Sequence, residues 1–322
     1  MITTVVGNYP KVADGAYSSK LRSARDRWER NELTDAQLKA VEDEVTRAVI
    51  AEQEQAGVDV LTDGQIRWDD LLRPLATHID GFAIQQRLER WFDNNVLFRR
   101  PILKRKPSWP GPRFVNEYRF ASHCTKKPVK AVLPGPYTFA TWCEDQYFAS
   151  KSKLTLALAE MLNQEAKALA QAGASLIQFD EPSIGFGKTD ARLAVEGLRR
   201  ATQGVSATTA VYTYFGAVNG WLPALMRAPV DIIGIDVVSD PKALSALKRA
   251  KITKALAIGC LDARNTKLES VKELHAIFRA VAPLVPSDQL YINPNCGLEF
   301  LPHTQALAKI RRLVEAVHAF RG

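Results

Sequence analysis

The stretch "ASLIQFDEP" (174–182) is a short, largely apolar run that ends on two carboxylates and a proline. A run without regular polar alternation is the pattern of a strand buried on both faces, as in a parallel sheet. The same form recurs before it in "TTVVGNYP" (3–10), "VDVLTDGQ" (58–65) and "VKAVLPGP" (129–136). After it come "ATTAVYTYFG" (207–216), "VDIIGIDVV" (230–238), "TKALAIGCLD" (253–262) and "LYINPNCG" (290–297). Eight such runs are expected to be eight parallel strands.

Helical segments separate them. "LTDAQLKAVEDEVTRAVIAEQEQAG" (33–57) opens with Thr34 and Gln37 in capping-box spacing and stops at Gly57. "KLTLALAEMLNQEAKALAQAG" (153–173) has the same form, and "HTQALAKIRRLVEAVHAF" (303–320) closes the chain. A helix over 265–281 is expected to be capped by Thr266 with Glu269. Strand-then-helix units repeated eight times predict an α/β fold, a (β/α)8 TIM barrel, as one domain over 1–322. An arm is expected at 82–128, inserted between strands 2 and 3 and structured rather than coiled. The rival, a doubly wound sheet, lacks a GxGxxG after its first strand.

The 322 residues are 46% hydrophobic and 24% charged, which suits a large buried core. No run approaches the roughly 18 apolar residues of a membrane helix. The start "MITTVVGNYPKV" has no secretion-signal pattern, and the four cysteines are far apart, so a cytoplasmic, reducing setting is expected. The net charge of +8 gathers in 92–130, with "RRPILKRKPSWPGPR" and "CTKKPVK". Those runs match no nucleic-acid module and read as a solvated surface or a face for an anionic group.

In a TIM barrel, chemistry gathers where the strands open into the following loops. That rule brings Asn8, Gln65, Thr138, Trp142, Asp180, Glu181, Ser183, Tyr212, Tyr214, Asp236 and Cys296 to one rim. Asp63, Asp180, Glu181 and Asp236 make the rim acidic. Helix capping accounts for some such carboxylates. The adjacent acids of "FDEP" point apart, so one is expected to face a ligand while the other braces the loop. Cys296 stays open between metal ligand, nucleophile and buried filler. The five histidines include no clear partner for it.

Taken in order, "TTVVGNYP", "VLTDGQ", "LPGPYTFATW", "LIQFDEPS" and "YINPNCGL" resemble the catalytic barrel of the cobalamin-independent methionine synthase family, nearly along the whole chain. That resemblance implies homocysteine at the barrel mouth and a zinc ion held by an HxC motif, a Glu and a final Cys. The final Cys falls on Cys296 and the Glu on Asp236. The HxC motif falls on Val211, Tyr212 and Thr213, so the zinc set is expected to be incomplete. Asp180 matches the carboxylate for the substrate ammonium group. Gln65 stands in place of a Glu and Asn8 in place of a Ser, while Trp142 and the Thr138 loop match the pterin side.

The expected activity is methyl or alkyl transfer to homocysteine or a related small thiol or amino acid, without zinc. The alternatives are a zinc-independent lyase or transferase of changed chemistry on a small sulfur-containing or organic acid, or a non-catalytic binding homologue. Candidate catalytic residues are Asp236, Cys296, Tyr212 and Tyr214; candidate substrate-binding residues are Asn8, Gln65, Asp180, Glu181 and Ser183. Trp142 and Thr138 are candidates for a donor, either a methylated folate or a methyl-corrinoid. A corrinoid protein at the basic 92–130 region and self-association are the candidate partnerships; nucleic acid and membrane are not expected.

Overall fold

The computed structural model describes residues 1–11, 16–92, 96–187, 189–217, 220–240 and 242–320. Its strands in chain order are β1 (Ile2–Thr3), β2 (Asp80–Trp91), β3 (Val96–Ser108), β4 (Ala131–Pro134), β5 (Glu144–Asp145) and β6 (Leu176–Asp180). They continue as β7 (Thr208–Thr213), β8 (Ile232–Asp236), β9 (Ala255–Leu261) and β10 (Leu290–Pro294). Seven of them form one parallel sheet in the order β1-β10-β9-β8-β7-β6-β4. The ring is closed by residues 58–61, through parallel bridges Thr4–Val60 and Leu61–Val129. Eight parallel segments therefore surround one axis, and the barrel is present. The segment at 58–61 joins by single bridges only, with Val60 N donating to Thr3 O and Leu61 N to Pro128 O.

Every residue of β6 and of β8 is buried, because the helices cover the outer face while side chains fill the interior. The helices are α1 (Ala16–Glu29), α2 (Asp35–Gln55), α3 (Arg73–Ala76), α4 (Val115–His123), α5 (Pro136–Trp142) and α6 (Lys151–Gln171). Then follow α7 (Ala191–Thr202), α8 (Leu222–Arg227), α9 (Ala243–Arg249), α10 (Val271–Val281) and α11 (His303–Ala319). None of the described helices is long and apolar enough to cross a membrane.

The Thr34–Gln37 capping box of α2 is formed in both directions. The box expected at Thr266 and Glu269 is not; α10 starts at Val271, capped by Ser270 with Glu273. Glu269 turns inward instead and accepts two bonds of 2.9 Å from the fully buried Lys309 ammonium. A buried ammonium left unpaired is costly, which outweighs a surface cap.

The arm is an antiparallel hairpin of β2 and β3, with Asp80 opposite Ser108 and Trp91 opposite Val96. α4 follows it, and β5 adds a short parallel strand to β3. Residues 93–95 of the expected arm and basic region lie outside the described residues. Trp91 and Phe92 at the end of β2 pack on Trp142, with ring centroids 5.0 Å away in both cases. The hairpin thereby brings aromatic side chains back over the C-terminal mouth of the barrel.

Candidate active site

A cavity of about 200 Å³ opens at that mouth. Asp180, the last residue of β6, reaches it and is 2% exposed. Its Oδ1 accepts a bond from Gln178 Nε2 at 2.6 Å, and its Oδ2 accepts one from the Tyr214 hydroxyl at 3.1 Å. Burial pushes the Asp180 carboxyl up to about 7, against the Gln178 bond and the nearby Lys130 ammonium. Lys130 lies inside the barrel with Nζ 4.7 Å from the Tyr212 ring centroid and no hydrogen-bond partner. Burial lowers its ammonium to about 7.

Glu299 lines the same cavity from the short turn Leu298–Phe300 after β10. Its Oε2 is buried and has no hydrogen-bond partner. Burial pushes this carboxyl up to about 7 as well, while the Lys11 ammonium pulls it down. A Cβ at Gly297 would stand 2.1 Å from Glu299 Oε2, so the carboxylate depends on the bare backbone there. Asn8 and Gln65 complete the polar floor, and Asn8 Oδ1 and Gln65 Nε2 are likewise buried without partners.

The wall is aromatic, with Trp91, Phe92, Tyr214, Phe215 and Phe300 facing the cavity. Phe215 lies 5.4 Å from Phe92 and 5.9 Å from Phe300, centroid to centroid. The backbone is left-handed at Gln65 (φ 48), Phe92 (φ 53) and Phe215 (φ 68), three of the five described non-glycine residues with positive φ. All three line this cavity, and strain gathered at one place marks a geometry imposed by the fold.

Glu181 has a separate task. Its carboxylate accepts Tyr137 N at 2.9 Å and Thr138 N at 2.7 Å, at the start of α5. Thr138 Oγ1 accepts Ser183 N at 3.1 Å, and Ser183 Oγ accepts Trp142 Nε1 at 2.7 Å. Glu181, Thr138, Ser183 and Trp142 thus tie the loop after β4 to the loop after β6. None of the four lines the cavity.

Five other candidates, Asp236, Cys296, Val211, Tyr212 and Thr213, also stand off the cavity. Asp236 is filled by donors: Val238 N and Ser239 N on Oδ1, Phe215 N and Asn295 Nδ2 on Oδ2. Cys296 is fully buried with Sγ 3.6 Å from Gly297 O, and burial holds its thiol well above the usual range. Val211 and Thr213 sit within β7 and alternate with Tyr212 and Tyr214, so the two tyrosines share the opposite face. Tyr212 lies below the mouth, against Gly234, where a Cβ would come within 2.5 Å of its ring. The mouth receives Tyr214 and Phe215 instead. Among the described residues no three His, Cys, Asp or Glu side chains converge as metal ligands would.

Sequence reasoning missed Glu299, together with Asp69 and Asp70 on the cavity wall. The signal for Glu299 was an acid in the otherwise apolar "NCGLEFL", directly after the eighth strand.

Comparison with known proteins is consistent along the whole chain. Residues 1–319 match the family described as the cobalamin-independent synthase catalytic domain. The methionine synthase of Saccharolobus solfataricus is 31% identical over 99% of this chain and 94% of its own length. That of Sulfurisphaera tokodaii is 28% identical over 99% and 92% respectively. Among solved structures, a B12-independent methionine synthase from a Shewanella species superposes with a TM-score of 0.81 at 24% identity, covering 98% of this chain and 97% of its own. A methyltransferase from Methanosarcina mazei does so with a TM-score of 0.63 at 12% identity, covering 98% and 95%.

Proposed function

Since this chain belongs to the cobalamin-independent synthase catalytic-domain family, we propose that it transfers a methyl or other small alkyl group to homocysteine or a related small thiol or amino acid, without a resident zinc. The observation that carries this reading is the pair of carboxylates, Asp180 and Glu299, on the floor of a cavity with unpartnered polar atoms.

The residues available do not fit a tetrahedral zinc site of nitrogen and sulfur ligands. Asp236 has both oxygens engaged by N–H donors, and Cys296 is a buried, protonated thiol. A pair of ligands two residues apart on the inward face of β7 would have to stand at Tyr212 and Tyr214, two phenols, one beside Lys130 and the other bonded to Asp180. A zinc ion lowers the pKa of a bound thiol, so a zinc-free enzyme must take the thiol proton by other means.

Here that proton passes to a carboxylate. Asp180, oriented by Gln178 and Tyr214, receives the acceptor's ammonium group. Glu299 takes the proton as the S–H bond breaks, and the sulfur then forms a bond to the alkyl carbon as the donor leaves. With both carboxyls near 7, each is poised to exchange a proton at neutral pH. The aromatic wall shields the thiolate from water, which preserves its nucleophilicity.

Protein purified without added metal tests this reading. We expect zinc well below one equivalent by elemental analysis, and S-methylation of homocysteine that survives a chelator. Stoichiometric zinc whose removal abolishes turnover overturns the zinc-free mechanism. Failure of homocysteine and methionine to raise the melting temperature overturns the acceptor assignment.

A further inference from the structure

The mouth cavity has a charge that does not follow from thiol methylation alone. Asp69, Asp70, Asp180 and Glu299 line it, and no Lys, Arg or His does so among the described residues. This occurs in a chain whose net charge is +8. Asp69 is paired with Arg73, but Glu299 Oε2 and Asn8 Oδ1 are acceptors without donors. The other wall is made of Trp91, Phe92, Phe215 and Phe300. Carboxylates opposite aromatic rings are the surroundings that select an organic cation over a neutral molecule or an anion.

We propose that this cavity binds a small onium compound, a methylsulfonium or a quaternary methylammonium, and that this cation is the methyl donor. The second half of the proposal rests on the methyl-transfer reading above; the first does not. Size supports it. A cavity of about 200 Å³ has room for a small onium head between the carboxylates and the aromatic rings.

The chemistry balances without a further reactant. The acceptor's S–H proton goes to Glu299, and the thiolate sulfur attacks the donor's methyl carbon. The carbon–heteroatom bond of the onium breaks, its electron pair stays on the heteroatom, and a neutral sulfide or tertiary amine leaves. The leaving group needs no proton, unlike one departing from a neutral amine. Loss of the positive charge also removes the attraction to the acidic floor, which favours release.

Linkage supplies a signature. Asp180 and Glu299 titrate near 7 in the free protein, facing the buried Lys130 (about 7) and Lys11 (about 8), and a bound cation favours the ionised carboxylates and the neutral lysines alike. Binding therefore releases protons below that pH, and affinity falls as pH drops from 8 to 6.

Calorimetry on the intact protein with trimethylsulfonium and tetramethylammonium, in buffers of different ionisation enthalpy, tests binding directly. The comparison ligands are tert-butanol as a neutral isostere and a methylated folate. We expect the cations to bind at least tenfold more tightly than tert-butanol, to release protons at pH 6.5, and to lose about tenfold in affinity with Glu299→Gln. The wild-type comparison with tert-butanol needs no variant, so it holds even if Glu299→Gln fails to fold. Equal affinity for tert-butanol, or a methylated folate that binds where both cations are silent, overturns the proposal while leaving methyl transfer intact. A second assay follows label from trimethylsulfonium to homocysteine. Tight cation binding with no labelled methionine leaves the cation site standing and overturns the donor role, whereas the transfer reading stands or falls on the homocysteine binding and S-methylation tests given for it.

Discussion

Gly135 stands between the two acids of the β6 loop and the helix that carries Thr138 and Trp142. Its φ of −75 suits any residue, so Gly135→Ala introduces no backbone strain. Space is the difficulty. A Cβ there would lie 2.1 Å from Glu181 Cδ and 2.4 Å from Glu181 Oε1, so the Glu181 side chain must leave. It would abandon the N–H groups of Tyr137 and Thr138, both buried. An orphaned buried donor costs about 1–3 kcal/mol, so two cost about 2–6 kcal/mol. Gly135 N also donates to Asp180 O at 2.7 Å, so the disturbance reaches the ligand-facing carboxylate.

A double-mutant cycle in urea denaturation isolates this clash. Glu181→Ala alone should lose about the same 2–6 kcal/mol, for the same two orphaned donors. In the Glu181→Ala background, Gly135→Ala should cost less than about 1 kcal/mol, because the carboxylate it displaces is gone. The coupling between the two sites should therefore be at least about 1 kcal/mol. Costs that add to within about 0.5 kcal/mol would refute the reasoning, since independent sites behave in that way.

Three more outcomes follow from the site. Tyr214→Phe removes a hydrogen bond that lowers the Asp180 pKa, so the acid limb of a pH–rate profile should move to higher pH; an unmoved limb separates Tyr214 from that carboxyl. The Lys130 ammonium is held to about 7 in the folded protein and about 10.4 unfolded, so the unfolded chain binds more protons between those values and stability gains from rising pH there. Lys130→Met should flatten that part of the pH–stability curve, measured by thermal melts from pH 7 to 10, and an unchanged slope counts against a buried, depressed lysine. Cys296 is buried with its thiol raised, so iodoacetamide at pH 8 should leave it unmodified in native protein by peptide mass analysis; rapid labelling would contradict that.

Local chemistry made much of the fold legible in the sequence alone. Each barrel strand is a short apolar run, and the Thr34–Gln37 box acts within one helical turn, so neither depends on distant residues. Asp180 could be placed at the mouth for the same reason, as the last residue of such a run. Ambiguity began where two local signals competed. Thr266-x-x-Glu269 and Ser270-x-x-Glu273 spell the same cap, and the buried Lys309 on α11, 40 residues on from Glu269, decided between them.

The face of a strand was harder still, because it reverses with every residue. A shift of one along "VYTY" separates Val211 and Thr213 from the tyrosines that face the interior, and pairing with β6 and β8 settles which is which. The cavity wall lay beyond any local pattern. Trp91 and Phe92 arrive on a hairpin inserted far upstream, and Glu299 on a turn after the last strand. Only closure of the barrel brings them to Asp180, and burial in that shared space gives both carboxylates their raised pKa.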